Sequence, residues 1–335
     1  MRYQKLGSTD IDVSVVSLGA WGLGGGSVWT DHDSTEKDTE NLLDACKDAG
    51  INYIDTAPVY GTGVSEELLG KALKGRRSDF ILQSKCSLNW RMEGGNFHYE
   101  RDGYTVNNDT SAEAVRKDVE DSLLRMNTDY LDSVIVHYVC SSFPVEGTVQ
   151  ALEDMIKEGK IRTYGLSNSR PSDLSEYMNV KTKDSGVSLV QEFFSILSPF
   201  HGREYFEECR KYNTVFQTYG VLEEGFLTSP GFLKRQFAKT DIRSRIPWVE
   251  ERYKAGLRRA FEVWKPFCEE HQCSYAQLVE AWALSQYERM NLLVGMRKPE
   301  NVFDTAKCVD LVLSDHEISA MEETVADIQV AVLDK

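Results

Sequence analysis

The chain has 335 residues, of which 41% are hydrophobic and 27% are charged, the proportions of a folded globular protein. Its formal net charge of −15 and its pI near 5.0 disfavour nucleic acids and anionic membrane surfaces as partners, since both attract a basic face. No run of about 18 apolar residues predicts a transmembrane helix, and residues 1–7 lack the apolar core of a signal peptide.

The seven cysteines indicate a reducing compartment. They are widely spaced and include no Cys-x-x-Cys pair, which favours free thiols in the cytoplasm over a disulfide framework. Cys268 and Cys273 flank His271, but this spacing matches no zinc pattern. We therefore expect a cytoplasmic protein without a metal site.

Strand-like and helix-like segments alternate from residue 13 to the end of the chain. The apolar segments with the length of strands are residues 13–20, 52–57, 80–86, 133–138, 163–168, 189–194, 215–220 and 292–296. Amphipathic patterns with a 3.6-residue period predict helices over 35–49, 111–126, 144–159, 171–178 and 274–286. Eight strands that alternate with helices predict an α/β fold, a (β/α)8 TIM barrel.

A doubly wound open sheet is the alternative fold. Such a sheet usually carries a GxGxxG phosphate-binding motif after its first strand, directly before a helix. Residues 22–27 read Gly-Leu-Gly-Gly-Gly-Ser, which fails this motif at its last position and precedes no predicted helix. The barrel is therefore favoured, and the glycines are interpreted as a βα loop.

A typical barrel needs about 250 residues, and the additional residues lie in four segments. Residues 1–12 predict an N-terminal hairpin that covers one end of the barrel. Residues 87–110 and 221–273 are long βα loops after strands three and seven, and residues 312–335 predict an extra C-terminal helix with a capping box at Ser314. No linker or repeat divides the chain, so we expect one domain over residues 1–335.

Four protic side chains stand at or just after the carboxyl ends of three predicted strands. Asp55, Lys85 and His137 end the second, third and fourth strands, and Tyr60 follows the second on a turn. Adjacent strands lie about 4.8 Å apart, so these side chains are expected to meet. Because lone charges are seldom buried in strands, the pattern predicts an assembled site.

The pKa of the tyrosine determines what such a group does. A tyrosine has a pKa near ~10, and we expect the ammonium of Lys85 to lower it while Asp55 balances the lysine's charge. A phenol tuned in this way protonates a carbonyl oxygen, and His137 is placed to bind the same oxygen. None of the four is a strong nucleophile apart from the lysine, so hydride from a nicotinamide fits as the source of the electron pair.

These residues resemble the aldo-keto reductase superfamily, and the resemblance extends over nearly the whole chain. It is carried by residues 52–61 (Asn-Tyr-Ile-Asp-Thr-Ala-Pro-Val-Tyr-Gly), by Lys85 and by residues 165–168 (Gly-Leu-Ser-Asn). The resemblance implies an NAD(P)H-dependent oxidoreductase that transfers hydride between the nicotinamide and an aldehyde, ketone, alcohol or sugar derivative. It also implies that Tyr60 is the general acid and base, that Asp55 and Lys85 tune it, and that His137 positions the carbonyl.

The resemblance further implies cofactor contacts. Ser167, Asn168 and Gln191 match positions that hydrogen-bond the nicotinamide carboxamide, and Phe194 matches the aromatic residue that stacks on the ring. Tyr219, Leu222 and Gly225 lie in the segment that matches the loop along the pyrophosphate. The segment that matches the surroundings of the adenosine 2′-phosphate contains Gly295, Arg297, Lys298 and Asn301. The two basic residues favour NADPH, with NADH as the alternative.

Three aromatic residues are predicted to bind substrate: Trp21, Trp90 and Tyr138. Tyr138 stands where the family usually has tryptophan, and Glu223 and Glu224 lie in the segment that the family places along the pyrophosphate. Both departures leave open a non-catalytic, nicotinamide-binding regulatory subunit. A third possibility is an aldolase that forms a Schiff base at Lys85.

Overall fold

Eight parallel strands form a closed barrel in the computed structural model, which describes residues 1–29, 33–182 and 186–330. In chain order the strands are β1 (Tyr3–Lys5), β2 (Asp12–Ser14), β3 (Val16–Gly19), β4 (Tyr53–Asp55), β5 (Ile81–Cys86), β6 (Leu88–Asn89), β7 (Asn96–Arg101), β8 (Tyr104–Asn108), β9 (Leu131–Val136), β10 (Ile161–Ser167), β11 (Val187–Phe193), β12 (Val215–Tyr219) and β13 (Met290–Gly295). The barrel consists of β3, β4, β5 and β9–β13, paired in sequence order and closed by β13 against β3. The predicted (β/α)8 barrel is confirmed.

Helices connect the barrel strands on the outside. They are α1 (Glu36–Asp48), α2 (Val64–Ala72), α3 (Ala112–Met126), α4 (Val145–Lys157), α5 (Pro171–Val180), α6 (Phe200–Tyr212), α7 (Glu251–His271), α8 (Tyr275–Ser285), α9 (Pro299–Ala306) and α10 (Asp315–Val325). Ser111 and Ser314 cap α3 and α10 with their hydroxyl groups, as their sequence patterns predict. The pattern for α2 and α6 was not recognised in the sequence, although both occupy expected places between strands. No described helix is long and apolar enough to cross a membrane.

The predicted N-terminal hairpin closes the amino-terminal end of the barrel. Strands β1 and β2 pair antiparallel, and Leu6, Ile11 and Val13 bring their apolar side chains into the barrel. There they pack on an interior layer contributed by four barrel strands: Tyr53, Ile135, Leu189 and Val215. All of these side chains are buried, so this end of the barrel is a packed core.

The segment after β5, which we expected to be a loop, contains a three-stranded antiparallel sheet in the order β6-β8-β7. Its hairpin turns at Asp102 and Gly103, whose φ angles of 53° and 82° suit a two-residue turn with both central residues left-handed. Arg91 fixes the sheet to α3, since its guanidinium lies 2.7 Å from Asp118 and 3.1 Å from Asp121. The sheet therefore stands over the carboxyl-terminal end of the barrel.

The long segment after β12 contains short 3-10 turns followed by α7, and α10 packs against α7 near the end of the described chain. The expected helical stretch in 221–273 and the expected C-terminal helix are both present. The last residues of the predicted segment 312–335, from 331 onward, lie outside the described residues.

Candidate active site

The two-residue period of the strands determines which side chains enter the barrel. On β4, Asp55 follows Tyr53 on the inner face; on β5, Lys85 follows Gln83 in the same way. Each strand thus places one residue in the barrel's middle and another at its carboxyl end. The interior changes from apolar to polar along this direction, and the predicted catalytic residues lie at the polar end.

Lys85 and Asp55 form a buried ion pair. The Lys85 Nζ donates to both carboxylate oxygens at 2.6 Å and to the backbone carbonyl of Thr56 at 2.9 Å. The two side chains are 0% and 1% exposed. The same ammonium lies 4.9 Å from the centre of the Tyr60 ring, so three of the four predicted catalytic residues are in direct contact.

A layer of amide side chains lies beneath this ion pair. Gln83 and Gln191 donate their Nε2 groups to Asp55 Oδ1 at 2.7 and 2.9 Å. Both amides also donate to Gln217 Oε1, and Gln217 Nε2 in turn donates to Asn291 at 2.8 Å. Buried carboxylates need such donors, because desolvation otherwise opposes their charge. These partners link Asp55 to four further strands of the barrel wall, β5, β11, β12 and β13.

Sequence reasoning missed Gln83 and Gln217 as members of the site. The signal was present, because each is the only amide in a short apolar strand and stands two residues before Lys85 or Tyr219, on the same face. A long polar side chain at the centre of such a strand has to be satisfied within the barrel. The position of such a side chain therefore marks the inner end of the site, beneath the Lys85–Asp55 ion pair.

The turn that carries Tyr60 is locked to the loop after β3. Gly61 adopts φ = 61°, and a Cβ there would lie 2.1 Å from the carbonyl oxygen of Gly24. The two backbones therefore approach more closely than any side chain allows. The same loop brings the ring of Trp21 to 6.1 Å from that of Tyr60, as expected for a residue that lines the pocket.

Burial sets the protonation states of the site. It raises the pKa of Tyr60 well above the ordinary value, and the charge of Asp55 raises it further. It lowers the pKa of Lys85, although Asp55 opposes this. The pKa of His137 is lowered by burial first and by the charge of Lys85 second. At neutral pH Tyr60 is consequently a phenol and His137 is uncharged.

This result corrects the expectation that Lys85 lowers the pKa of Tyr60. The Lys85 ammonium is compensated by Asp55 at 2.6 Å, so it does not offset the effects of burial and of the Asp55 charge on the pKa of Tyr60. Desolvation of the phenolate then dominates. A phenol that keeps its proton is suited to donate it to an oxygen on which negative charge develops.

Aromatic rings form the wall beside His137. Its ring lies 6.1 Å from that of Tyr60 and 5.5 Å from that of Tyr138, and His98 from the small sheet lies 4.4 Å from Tyr138. The Nδ1 of His137 is buried and has no hydrogen-bond partner within the described chain. A buried polar atom without a partner calls for an explanation, and a hydrogen bond with a polar group of a bound substrate would satisfy this nitrogen.

Trp90, predicted to bind substrate, lies apart from this group. Its ring packs on the guanidinium of Arg91 at 4.5 Å and meets Tyr104 edge-on at 6.5 Å. It forms no ring contact with the four central residues. The fold of the small sheet explains this, because Trp90 follows β6 and stabilises the turn that Arg91 anchors, while His98 and Tyr99 on β7 face the barrel.

Three predicted cofactor residues meet at the ends of β10–β12. Ser167 Oγ donates to the carbonyl of Gln191 at 2.7 Å, and Asn168 Nδ2 donates to the carbonyl of His137 at 2.9 Å. Tyr219 Oη donates to Asn168 Oδ1 at 2.6 Å. This group, with Gln191 beneath it, presents amide and hydroxyl groups beside one aromatic ring.

Phe194 occupies a different place from the one expected for a stacking residue. It is fully buried, and its ring stacks on Trp282 at 5.4 Å with an interplanar angle of 10°. Phe194 is three residues after Gln191, so the two-residue period turns it to the outer face of the barrel. The aromatic residue on the inner face is Tyr219, which follows Gln217 by two positions and is half-buried at the rim.

The loop after β12 contains two acidic residues, Glu223 and Glu224, and the contacts of Glu223 show where its side chain lies. The Glu223 carboxylate is fully buried and accepts hydrogen bonds from Ser195 and from Trp248 Nε1, the latter at 2.7 Å. It therefore points into the protein. In the same loop Leu222 packs against the core and Gly225 adopts φ = 103° beside the ring of Phe232.

The segment expected at the adenosine end lies between β13 and α9. Gly295, Lys298 and Asn301 are exposed there, whereas Arg297 is half-buried with its guanidinium 5.8 Å from the ring of Trp29. The described residues contain no group of side chains suited to hold a metal ion. The four predicted residues thus lie close together along this segment, and the side chains of Lys298 and Asn301 are accessible to solvent.

A barrel whose carboxyl end combines a buried Lys-Asp pair with a phenol and an uncharged histidine is the architecture of a carbonyl oxidoreductase. The sequence profile of the Aldo/keto reductase family matches residues 15–326, and the chain belongs to that family. It is an oxidoreductase that uses a nicotinamide cofactor to interconvert carbonyl and alcohol groups.

Individual relatives agree with this assignment. The chain is 33% identical over 327 residues to the NADH-specific methylglyoxal reductase of Escherichia coli (strain K12), covering 96% of this chain and 98% of the relative. It is 28% identical to a probable voltage-gated potassium channel subunit beta of Oryza sativa subsp. japonica, covering 93% and 92%. The structure of a glycerol dehydrogenase from Gluconobacter oxydans superimposes with a TM-score of 0.84 at 26% identity, covering 99% and 98%.

Proposed function

We propose that this protein reduces small aldehydes or ketones and that Tyr60 donates the proton. The observation that carries the proposal is the contact of the Tyr60 ring with the buried Lys85–Asp55 pair at the barrel's open end. When bound, the reduced nicotinamide supplies hydride to the carbonyl carbon. Tyr60 Oη gives its proton to the carbonyl oxygen, and the Lys85 ammonium stabilises the phenolate that remains.

His137 orients the substrate in this proposal. Its uncharged ring donates one hydrogen bond to the carbonyl oxygen, which fixes that oxygen near the phenol. The Gln83 and Gln191 amides hold Asp55 and thereby Lys85 in position. Rigid support of this kind lets the charge that develops on oxygen meet donors that are already aligned.

The rim beside β10–β12 is proposed to hold the nicotinamide. Its donors and acceptors fit the group, since Asn168 and Gln191 carry amides suited to a carboxamide and Tyr219 carries a ring suited to stack on a flat heterocycle. Ser167 supports the same edge. Tyr219 replaces Phe194 in this role, because only Tyr219 reaches the inner face.

We propose NADPH as the preferred cofactor. Lys298 is exposed directly before the first turn of α9, and Asn301 is exposed within that turn, where they suit a 2′-phosphate. The Escherichia coli relative is named as NADH-specific, so both cofactors need comparison. We expect Lys298→Ala to lower kcat/KM with NADPH about 10-fold and to leave kcat/KM with NADH within about twofold.

The proposed reaction is tested by following the absorbance of the reduced nicotinamide with methylglyoxal, glyceraldehyde and aromatic aldehydes. The expected result is cofactor oxidation matched mole for mole by alcohol, lost in Tyr60→Phe while cofactor binding persists. Equal turnover in Tyr60→Phe would contradict the assignment of the proton donor.

A non-catalytic regulatory subunit is the second candidate, supported by the relative named as a potassium channel subunit beta. It predicts nicotinamide binding without turnover on any carbonyl or alcohol of the panel. The buried ion pair and the phenol favour the enzyme, because binding a nucleotide requires neither.

Two further expectations stay proposals. A cytoplasmic location is supported by the seven cysteines, all described, which form no disulfide. A single domain over residues 1–335 predicts one cooperative unfolding transition, measurable by calorimetry.

A further inference from the structure

The hairpin of β7 and β8 carries an arginine that has no polar partner among the described residues. Arg101 ends β7, directly before the tight turn at Asp102, and is half-buried. Its guanidinium stacks on the ring of Tyr99 at 4.6 Å. Within the described residues it forms no hydrogen bond and no ion pair with a carboxylate. Stacking uses the face of the guanidinium and leaves its N–H donors, which lie in the plane, free to bind.

Several other half-buried arginines of this chain form ion pairs with carboxylates. Arg77 binds Asp132 at 2.8 Å, Arg91 binds Asp118 at 2.7 Å and Arg125 binds Glu66 at 2.5 Å. The sequence holds 53 acidic residues against 38 basic ones, so carboxylates are abundant. An arginine that is partly desolvated and still lacks one is an unfilled anion-binding group.

Arg101 lies in the same cleft as the turn that carries Tyr60. The cleft is lined by Trp21, by Val59, Gly61 and Thr62 from that turn, and by Tyr99 and Arg101 from the small sheet. Tyr99 neighbours His98, which packs on Tyr138 beside His137. A series of aromatic side chains, Tyr99, His98 and Tyr138, thus connects the guanidinium to His137, beside which the carbonyl is expected.

The other charged groups around this cleft do not cancel the arginine. Asp102 also lines the cleft, but it is exposed at the tip of the turn and forms no ion pair with Arg101 among the described residues. The pKa of His98 is lowered by burial and by Arg101, so His98 is uncharged at neutral pH. Lys85 is compensated by Asp55.

We propose that Arg101 is a specificity-determining residue that binds an anionic group, a carboxylate or a phosphate, on the carbonyl substrate. The inference rests on the proposed function, because it assigns the substrate class of that same site. The substrate then spans from Tyr60 to the small sheet, with the carbonyl at one end and the anion at the other. A planar guanidinium suits either anion through paired N–H donors.

The test compares substrates that differ only in charge. Reduction of 4-formylbenzoate is measured against its methyl ester, and glyceraldehyde 3-phosphate against glyceraldehyde, which separates a carboxylate from a phosphate as the preferred anion. Enzymes are the natural chain, Arg101→Met, Arg101→Lys and, as a matched control, Arg210→Met, whose arginine pairs with Glu288 on the exterior.

The expected result is that the natural chain prefers at least one anionic substrate in kcat/KM, through a lower KM. Arg101→Met is expected to reduce the anionic-to-neutral ratio about 10- to 100-fold, the size of one or two charge-assisted hydrogen bonds. Arg101→Lys should keep part of the preference for the anionic substrate, and Arg210→Met should keep all of that preference. Added salt should raise the KM of the anionic substrate alone. Ratios that are equal in all four enzymes would overturn the proposal.

A binding measurement separates this inference from the proposed reaction. Calorimetric titration of 4-formylbenzoate into Tyr60→Phe, with and without Arg101→Met, reads the anion site without turnover. If the natural chain reduced no carbonyl of the panel while binding still depended on Arg101, only the proposed reaction would be refuted. Turnover of neutral aldehydes with anion binding that is independent of Arg101 would refute only the anion site.

Discussion

The inside of the barrel has two halves of opposite character. At the amino-terminal half, the hairpin and the inward residues of the strands make an apolar core in which Ile135 and Leu189 are fully buried. At the carboxyl-terminal half, an equally buried layer holds a charged pair and three amides around Asp55. The first half contributes stability by removing apolar surface from water. The second half lacks much of that contribution, because its interior is occupied by the charged and polar groups of the site.

The difference implies that the two halves respond differently to substitution. Removal of apolar atoms leaves a cavity whose cost appears in the free energy of unfolding. Removal of a polar group leaves its partner without a charge or a hydrogen bond, which affects both stability and the geometry of the site.

Lys85→Met is expected to have the largest effect. It leaves the Asp55 carboxylate buried without its cation, which costs about 3–5 kcal/mol of unfolding free energy, and it abolishes reduction. Denaturant titration and cofactor-oxidation assays measure the two effects. Lys47→Met is the matched control, because Lys47 also binds a carboxylate at 2.7 Å but is 59% exposed. We expect Lys47→Met to lower the free energy of unfolding by about 0–1 kcal/mol. Equal losses of stability in Lys85→Met and Lys47→Met would contradict the difference expected between a buried and an exposed ion pair.

Ile135→Ala tests the apolar half. Ile135 is fully buried and contacts the closely packed backbone at Gly165, so we expect a loss of about 2–5 kcal/mol in unfolding free energy. The variant should retain kcat within about threefold, since the lost atoms lie below the amide layer. Ile135→Val is the control and should cost about 0.5–1.5 kcal/mol. A large fall in kcat of fully folded Ile135→Ala would show that the two halves of the barrel interior are not independent.

Gln217→Leu tests the boundary between the halves. It removes the oxygen that accepts from both Gln83 and Gln191 and the donor to Asn291. We expect a loss of about 1–3 kcal/mol in stability and a lower kcat, because Asp55 loses the supports that orient it. Gln150→Leu, at an exposed position, should change the stability by less than about 0.5 kcal/mol. An unchanged kcat in Gln217→Leu would show that the amide layer is only structural.

The pH dependence is expected to be the smallest effect. The pKa of Tyr60 is raised and that of His137 is lowered, so neither titrates between about pH 6.5 and 10. Reduction, which needs the phenol, should be flat over this range. Alcohol oxidation needs the phenolate and should rise with pH. Stopped-flow rates in both directions measure this, and a reduction rate that falls by half near pH 8 would contradict it.

Much of this arrangement could be predicted from the sequence. The eight strands were identifiable because each is a short apolar run between turn residues. The positions of Asp55, Lys85 and His137 followed from those strand ends. The resemblance assigns Tyr219 to the pyrophosphate loop and the stacking role to Phe194, although the two-residue period counted from Gln191 turns Phe194 to the outer face.

Other features depended on burial and on long-range pairing. The direction of the Tyr60 pKa shift was wrong, because the sequence names its neighbours but does not reveal how deeply they are buried. The prediction of a loop over 87–110 is wrong, because it neglects the Asp102-Gly103 pair, which is a strong hairpin signal. Arg101 was overlooked since an unpaired arginine is recognisable only when its surroundings are known.

The central claim is that the phenol of Tyr60 is the proton donor and that the structure around it exists to hold it. We would mix the preformed cofactor complex of Tyr60→Phe with substrate and follow a single hydride transfer by stopped flow. The account predicts a rate reduced about 10²- to 10⁴-fold, with the cofactor Kd within twofold and unfolding unchanged. A hydride-transfer rate within tenfold of the natural chain would contradict it.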